Sequence, residues 1–367
     1  MNSYPDGIDL NAGLAVLRPE IAFGSCSDVV VCVPARNEER RLPGLISALG
    51  RQTRRASERL RVLLLLNNTF DASRRAAERV RIEAPGVDLR IVERWFGAAY
   101  AHAGSARRAA MEAGAGWLER DGVSGGVILT TDADAVPHED WVAASCAALE
   151  AGADIAAAHI AGDPTEEARF SATFRAAISD VMAVRALARD VEDRIDPIPG
   201  DPAPRHTDHT GGGLALRLAT YRAVGGCPAL SCREDLGLVD AVRRLGGVVR
   251  HCPAVRVTVS ARMHGRAAGG MASTISAWSE RIAQGGVLLV PDPAEQIEHW
   301  RARAHARTEA ARAAAHLPET LAARSIAAIL ASRCPDPVDW RAEIPAHDAM
   351  TILEHALDVR IRQRSAA

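Results

Sequence analysis

Apolar positions in the first half of the chain follow two rhythms that take turns. Short apolar runs stand at 29–33 (VVVCV), 61–66 (RVLLLL, after its leading Arg61) and from 127 onward (VILT), and a more mixed strand is expected at 89–93 (LRIVE). Runs of this kind, rich in branched residues and without polar alternation, are expected of strands buried on both faces in a parallel sheet. Between them apolar residues recur at helical spacing: Leu42, Leu45, Ile46 and Leu49 after the first run, then segments 73–82 and 105–119. Pro43 falls in the first turn of its helix, where a missing N–H costs nothing. The alternation predicts an α/β fold, a mainly parallel sheet flanked by helices and joined by right-handed crossovers.

The second half is less regular. An edge segment is expected at 154–160 and a helix at 166–189, followed by the proline-rich connection RIDPIPGDPAPRHTDHTGGG over 194–213. A connection that long inside a compact domain is usually functional or disordered. Regular structure resumes at 214–217, with a short helix at 219–224 ended by Gly225 and Gly226, a helix at 234–245 and strands at 248–251 and 255–260. From about residue 293 the chain becomes rich in Ala, Arg, Glu and His and reads as helical throughout. The expected organisation is an irregular segment 1–27, an α/β domain over 28–290 and a helical C-terminal extension over 291–367.

Composition narrows the function classes. The 367 residues carry a formal net charge of −2, which offers no bulk attraction to nucleic acid or to an anionic membrane. All 44 basic side chains are Arg, so Schiff-base lysine chemistry is excluded and every fixed cation is a guanidinium. The 7 Cys are odd in number and never spaced as CxxC. Without a secretory leader pattern or an apolar run of the roughly 18–20 residues that spans a bilayer, the expectation is a cytoplasmic protein with no transmembrane segment.

Ligands of open α/β sheets bind beyond the carboxyl ends of the strands, and the loops there are rich in Asp, Glu, Asn and Arg. The most pointed is the stretch VILTTDADAVPHEDW at 127–141, which carries Asp132 and Asp134 to a strand end. Carboxylates at positions i and i+2 of an extended backbone share a face and can together meet a divalent cation. Glu234 and Asp235 open a helix after the long connection and form a second acidic pair.

The ordered series VCVPARNEE, LNNTFDAS, LTTDADAVP, GGGLALRLATYRAVGG and CREDLGL resembles a family 2 glycosyltransferase of the GT-A fold, over about residues 28–245. The resemblance implies a nucleoside-diphosphate sugar donor, a small or carrier-bound hydroxyl acceptor, and manganese or magnesium as cofactor. It gives the nucleoside to Pro34, Ala35, Arg36 and Glu38, and the base to Asp71. Asp134 would hold the metal, and Asp132 would act on the ribose or through water. It makes Asp235, with Glu234 beside it, the catalytic base of an inverting transfer. The Gln-x-x-Arg-Trp motif and membrane helices of processive members are missing. In their place stands SARMHGRAAGG, where His264 is a further candidate metal ligand and Arg262 and Arg266 are candidates for diphosphate oxygens.

Further readings stay open beside these. Gly211, Gly212 and Gly213 suit a close approach of acceptor or sugar to the backbone. His206, Asp208 and His209 form a metal-capable group on the long connection. Gly104 and Ser105, ahead of Arg107 and Arg108, mark either a phosphate-facing helix start or a simple cap. A retaining transferase, a nucleotidyltransferase and a nucleotide-sugar binding protein are the alternatives to inversion. The C-terminal helices suggest a structural cap or a homodimer contact.

Overall fold

The structure is a computed structural model that describes residues 28–53, 59–208, 211–265, 270–335 and 340–365. The expected irregular segment 1–27 lies outside these residues, as do His209 and Arg266.

The chain begins as the hydrophobic rhythm predicts. Strand β1 (Val29–Ala35), helix α1 (Leu42–Gly50), strand β2 (Leu60–Asn67), helix α2 (Ser73–Glu83), strand β3 (Val87–Arg94), helix α3 (Ala103–Arg120) and strand β4 (Val127–Thr130) follow in order. All pairings among these strands are parallel, with β1 lying between β2 and β4. Val30, Val31, Cys32, Val33, Ile128 and Leu129 are fully buried, which is why their runs show no polar alternation.

Strand β5 (Ala135–Pro137), helix α4 (Trp141–Glu150), strand β6 (Ile155–Gly162), the short helix α5 (Pro164–Glu167) and the long helix α6 (Ala172–Ile195) come next. The single helix expected over 166–189 is therefore two, because Asp163 and Ser171 each cap a new start with their side chains. Strand β7 (Leu214–Arg217), helix α7 (Leu218–Ala223), helix α8 (Glu234–Arg244) and strand β8 (Val249–Val259) complete a sheet ordered β3-β2-β1-β4-β7-β6-β8-β5. The two strands expected at 248–251 and 255–260 are one, bent where its register against β6 shifts between Ala158 and His159.

β7 runs antiparallel between β4 and β6, so its first residue, Leu214, pairs with the last residue of β4, Thr130. That reversal carries the Gly211–Gly213 segment to the same end of the sheet as Asp132. No periodicity in the sequence announces it.

Helix α9 (Met271–Ala283), strand β9 (Leu289–Pro291), helix α10 (Pro293–Ala313), helix α11 (Glu319–Arg333), strand β10 (Glu343–Pro345) and helix α12 (Ala346–Ser365) form the C-terminal part. Val181, Val184, Ala188 and Val191 of α6 share an apolar cluster with Ile297, Trp300, Ala349 and Leu353 of α10 and α12. Beside it lies a buried ionic network. Glu192 accepts from Arg303 at 2.5 Å and from Arg205 at 2.5 Å, while Asp196 accepts from Arg303 at 2.5 Å and from Arg307 at 2.8 Å. The extension also reaches the sheet, where Arg324 pairs with Asp154 at 3.2 Å.

Arg303→Met keeps the side-chain volume but leaves Glu192 and Asp196 short of a cation in a buried place. The expected loss is about 3 kcal/mol of unfolding free energy, measured by urea denaturation.

Candidate functional site

The loops beyond β1 and β2 are stitched together. Asn37 and Asn68 adopt left-handed backbone conformations (φ 52° and 45°), which Asn tolerates better than most residues. The Asn37 side chain accepts from the Phe70 N–H, and Asn68 exchanges two bonds with the backbone of Phe96. The Asp71 carboxylate accepts from the Glu39 N–H and from both the N–H and hydroxyl of Ser73, while Ser73 Oγ accepts from the Glu38 N–H. Ala35 is buried, and exposed Arg36 donates to the Ala101 carbonyl. At the rim Phe70 and Trp95 stand exposed in edge contact, ring centroids 4.8 Å apart. Sequence spacing passed over this aromatic pair, because single exposed aromatics carry no periodic signal.

β4 ends at Thr130, so Asp132 and Asp134 sit in the turn after it and not on one extended face. The turn sends them to different guanidinium groups. Asp134 pairs with Arg262 at 3.0 Å, and the same Arg262 nitrogen reaches Glu38 at 3.0 Å. Burial, then the neighbouring charge of Asp132, raises the Asp134 carboxyl to about 6, opposed by Arg262. Arg262 is placed by Glu166, which accepts from Ser260 Oγ and the Ala261 N–H at 2.8 Å each and pairs with Arg41 at 2.5 Å.

Asp132 belongs to the second guanidinium, Arg107 of α3, whose side chain is 4% exposed. Its Nη2 donates to Asp132 at 2.6 Å, its Nε to Glu234 at 2.9 Å, and its Nη1 to Thr130 Oγ1 and the Gly211 carbonyl at 3.0 Å each. One planar cation thus joins the turn after β4 to the start of α8. Glu234, fixed by Arg107, leaves its neighbour Asp235 facing Gly211, whose N–H donates to the carboxylate at 2.6 Å. Burial raises the Asp235 carboxyl, with Arg107 pulling the other way.

The glycines answer to this packing. A Cβ on Gly211 would lie 2.2 Å from Arg107 Nη2, and one on Gly213 would lie 2.5 Å from the Ala158 Cβ. Gly212 accepts from Thr131 Oγ1 at 2.6 Å. Gly211 and Gly213 thus pack closely against Arg107 and β6 in the folded chain. The start of α3 is likewise capped from within: the Ser105 N–H donates to His102, and Gly104 lies against the Leu230 carbonyl.

His264 is exposed just past β8, without a described place beside Asp134. Among the described residues, the one set of three His, Cys, Asp or Glu ligands within 4.8 Å of one another is His159, His206 and Asp208. The hard oxygen donors Asp134, Asp132 and Glu38 nonetheless suit a manganese or magnesium ion. Burial, and after it the charge of Asp132, raises the Asp134 carboxyl, and a cation, Arg262, already lies between Asp134 and Glu38.

Two measurements follow from the two guanidinium groups. Arg107→Lys keeps the charge but cannot span four acceptors, so a loss of about 2–3 kcal/mol in urea unfolding is expected. For Asp134 the folded value near 6 lies above the ordinary 3.8, so the unfolded chain ionises first. Its contribution to stability therefore falls as pH rises from about 4 to about 6 and is level above. Asp134→Asn removes that fall, gaining on the order of 2 kcal/mol over the wild type between those limits in metal-free urea titrations.

The comparisons agree with this picture in outline. Residues 30–197 match the family described as "Glycosyl transferase family 2", a span from β1 through α6 that stops short of Glu234 and Asp235. No curated protein sequence matches the chain. Among solved structures, the mannosyltransferase PcManGT from Pyrobaculum calidifontis with GDP-Man and Mn2+ is similar at 16% identity and TM-score 0.47, over 96% of this chain and 87% of that one. S. aureus TarS 1-349 with UDP is similar at 14% identity and TM-score 0.43, over 80% and 76%. Glucosyl-3-phosphoglycerate synthase from Mycobacterium tuberculosis, with Mn2+, UDP and glucosyl-3-phosphoglycerate, gives 15% and 0.39, over 77% and 84%. Likenesses this distant decide no substrate. The family match falls on the strands and loops that build the crevice, and over residues 30–197 this chain is similar to glycosyltransferase family 2.

Proposed function

We propose that the chain transfers one sugar from a nucleoside-diphosphate donor to a hydroxyl acceptor, small or carrier-bound, with inversion and with Asp235 as general base. The observation that supports this most is the grip of Arg107 on Asp132 and Glu234 at once, which sets a donor-side carboxylate and the start of α8 on one cation. The donor-side carboxylate Asp132 and the helix start that bears Asp235 are thereby held in fixed relation before any substrate arrives, which is the preorganisation that catalysis rewards.

In this reading Pro34, Ala35, Arg36, Glu38 and Asp71 shape the nucleoside end. The exposed faces of Phe70 and Trp95 offer the base an apolar surface. Asp134, with Asp132, would hold the divalent cation, which supplies positive charge against the departing diphosphate. Arg262, freed from Asp134 and Glu38, becomes a donor for diphosphate oxygens, and Arg266 follows it in sequence. Asp235 takes the acceptor proton on its carboxylate, where its raised pKa strengthens it as a base at neutral pH. Attack from the Asp235 side, away from the diphosphate, inverts the anomeric carbon. Glu234 is a positioning residue, since Arg107 occupies it. Further parts of the reading are a role for His264 at the metal, the 291–367 helices as a distinct extension with a homodimer contact, and a cytoplasmic setting.

Asp235→Asn is expected to lower kcat by about 10² to 10⁴ while donor affinity is kept. Asp134→Asn is expected to abolish the extra thermal stabilisation that a nucleoside diphosphate gives in the presence of manganese. Normal transfer by both variants, or a product with retained anomeric configuration by NMR, overturns the mechanism.

A further inference from the structure

Beyond the transfer site, we infer that His159, His206 and Asp208 form a second divalent-metal site, of the zinc class, that clasps the 196–213 connection to the end of β6. The three residues come from two parts of the chain that are distant in sequence. His159 is the first residue of β6 past the register shift, and His206 and Asp208 lie on the connection that crosses over it. Their ligand atoms lie within 4.8 Å of one another.

The geometry orients the ligands. His206 is 5% exposed, and its Nε2 sits 3.2 Å from the Ala157 carbonyl. A carbonyl only accepts, so Nε2 carries the hydrogen and the Nδ1 lone pair is turned into the cluster. This is the outer hydrogen bond that metal-binding histidines commonly show. Asp208 Oδ2 lies 3.8 Å from His206 Nδ1 and 3.0 Å from His159 Nδ1, and it also accepts from the Ile160 N–H at 3.1 Å. Ligands about 2.1 Å from a tetrahedral zinc are about 3.4 Å apart, between these two values. The His159–His206 pair is bounded only by the 4.8 Å spread of the set, so the half-exposed His159 side chain moves by up to about 1.4 Å to close the site. The ion replaces two contacts, the His159–Asp208 bond and the Asp208 N–H bond to His206 Nδ1 at 3.0 Å.

The donor set also separates this site from the transfer site. Two imidazoles and one carboxylate favour zinc and its neighbours, whereas Asp132, Asp134 and Glu38 present oxygen alone. His159 is half exposed, which leaves a fourth position to water. The clasp lies three residues before Gly211, whose N–H holds Asp235 and whose carbonyl holds Arg107. A bound ion therefore steadies the segment that positions the proposed base.

The test uses full-length protein stripped with chelator and titrated with Co2+, followed by visible d–d absorption, then with competing Zn2+. One equivalent is expected to bind, with a tetrahedral or five-coordinate spectrum and a raised Tm. His159→Gln and Asp208→Asn are expected to weaken that binding more than about tenfold, while Asp134→Asn leaves it intact. Because His159 is half exposed, His159→Gln should melt like the wild type in chelator, which separates lost binding from lost folding. Uptake unchanged in His159→Gln and Asp208→Asn, no uptake at all, or uptake lost only in Asp134→Asn, overturns the second site. The last result would leave the transfer reading standing.

Discussion

A single buried guanidinium holds the functional end of this molecule together. Arg107 leaves water almost completely, and a charge so placed is tolerable only when it is paired and most of its hydrogens are engaged. The fork of an arginine meets that demand here with Asp132, Glu234, Thr130 and the Gly211 carbonyl around its plane. The four partners come from three segments, so satisfying one cation fixes the mutual placement of the end of β4, the glycine segment and α8. The bare glycine at 211 follows from the same contact, since the guanidinium occupies the space of a side chain.

The donor side obeys a looser version of the same rule. Arg262 bridges Asp134 and Glu38 from a segment past β8 and is only half-buried. Carboxylates gathered this closely repel one another, and that repulsion adds to burial, the larger cause, in raising Asp134. The arrangement balances while a cation stands among them. An exchange of that cation for another is electrostatically mild, because the count of charges changes little.

The C-terminal helices are tied in by similar means. Glu192 and Asp196, at the end of α6, share Arg205, Arg303 and Arg307 across the boundary expected at residue 291. The apolar seam of α6 with α10 and α12 supplies the burial, and the ion network sets the register of that seam. The long connection leaves this network at Asp196 and ends at Gly211, so it spans the extension and the crevice.

How much of this was legible in the chain depends on range. The buried runs at 29–33, 61–66 and 127–130 have no polar alternation because parallel strands are covered on both faces, and that alone determined the first half of the fold. The ordered motifs likewise determined which loops bear Asp132, Asp134 and Asp235, since strand ends and helix starts are local features. Other things rested on contacts between segments far apart in sequence. The antiparallel course of β7, the fusion of two expected strands into β8, the assignment of Asp132 to Arg107 and Asp134 to Arg262, and the meeting of His159 with His206 and Asp208 are of this kind. Periodicity reports only which face of an element is dry. Which charge neutralises which is decided when the folded chain removes water and each buried ion must find a partner, and only the tertiary structure makes that choice.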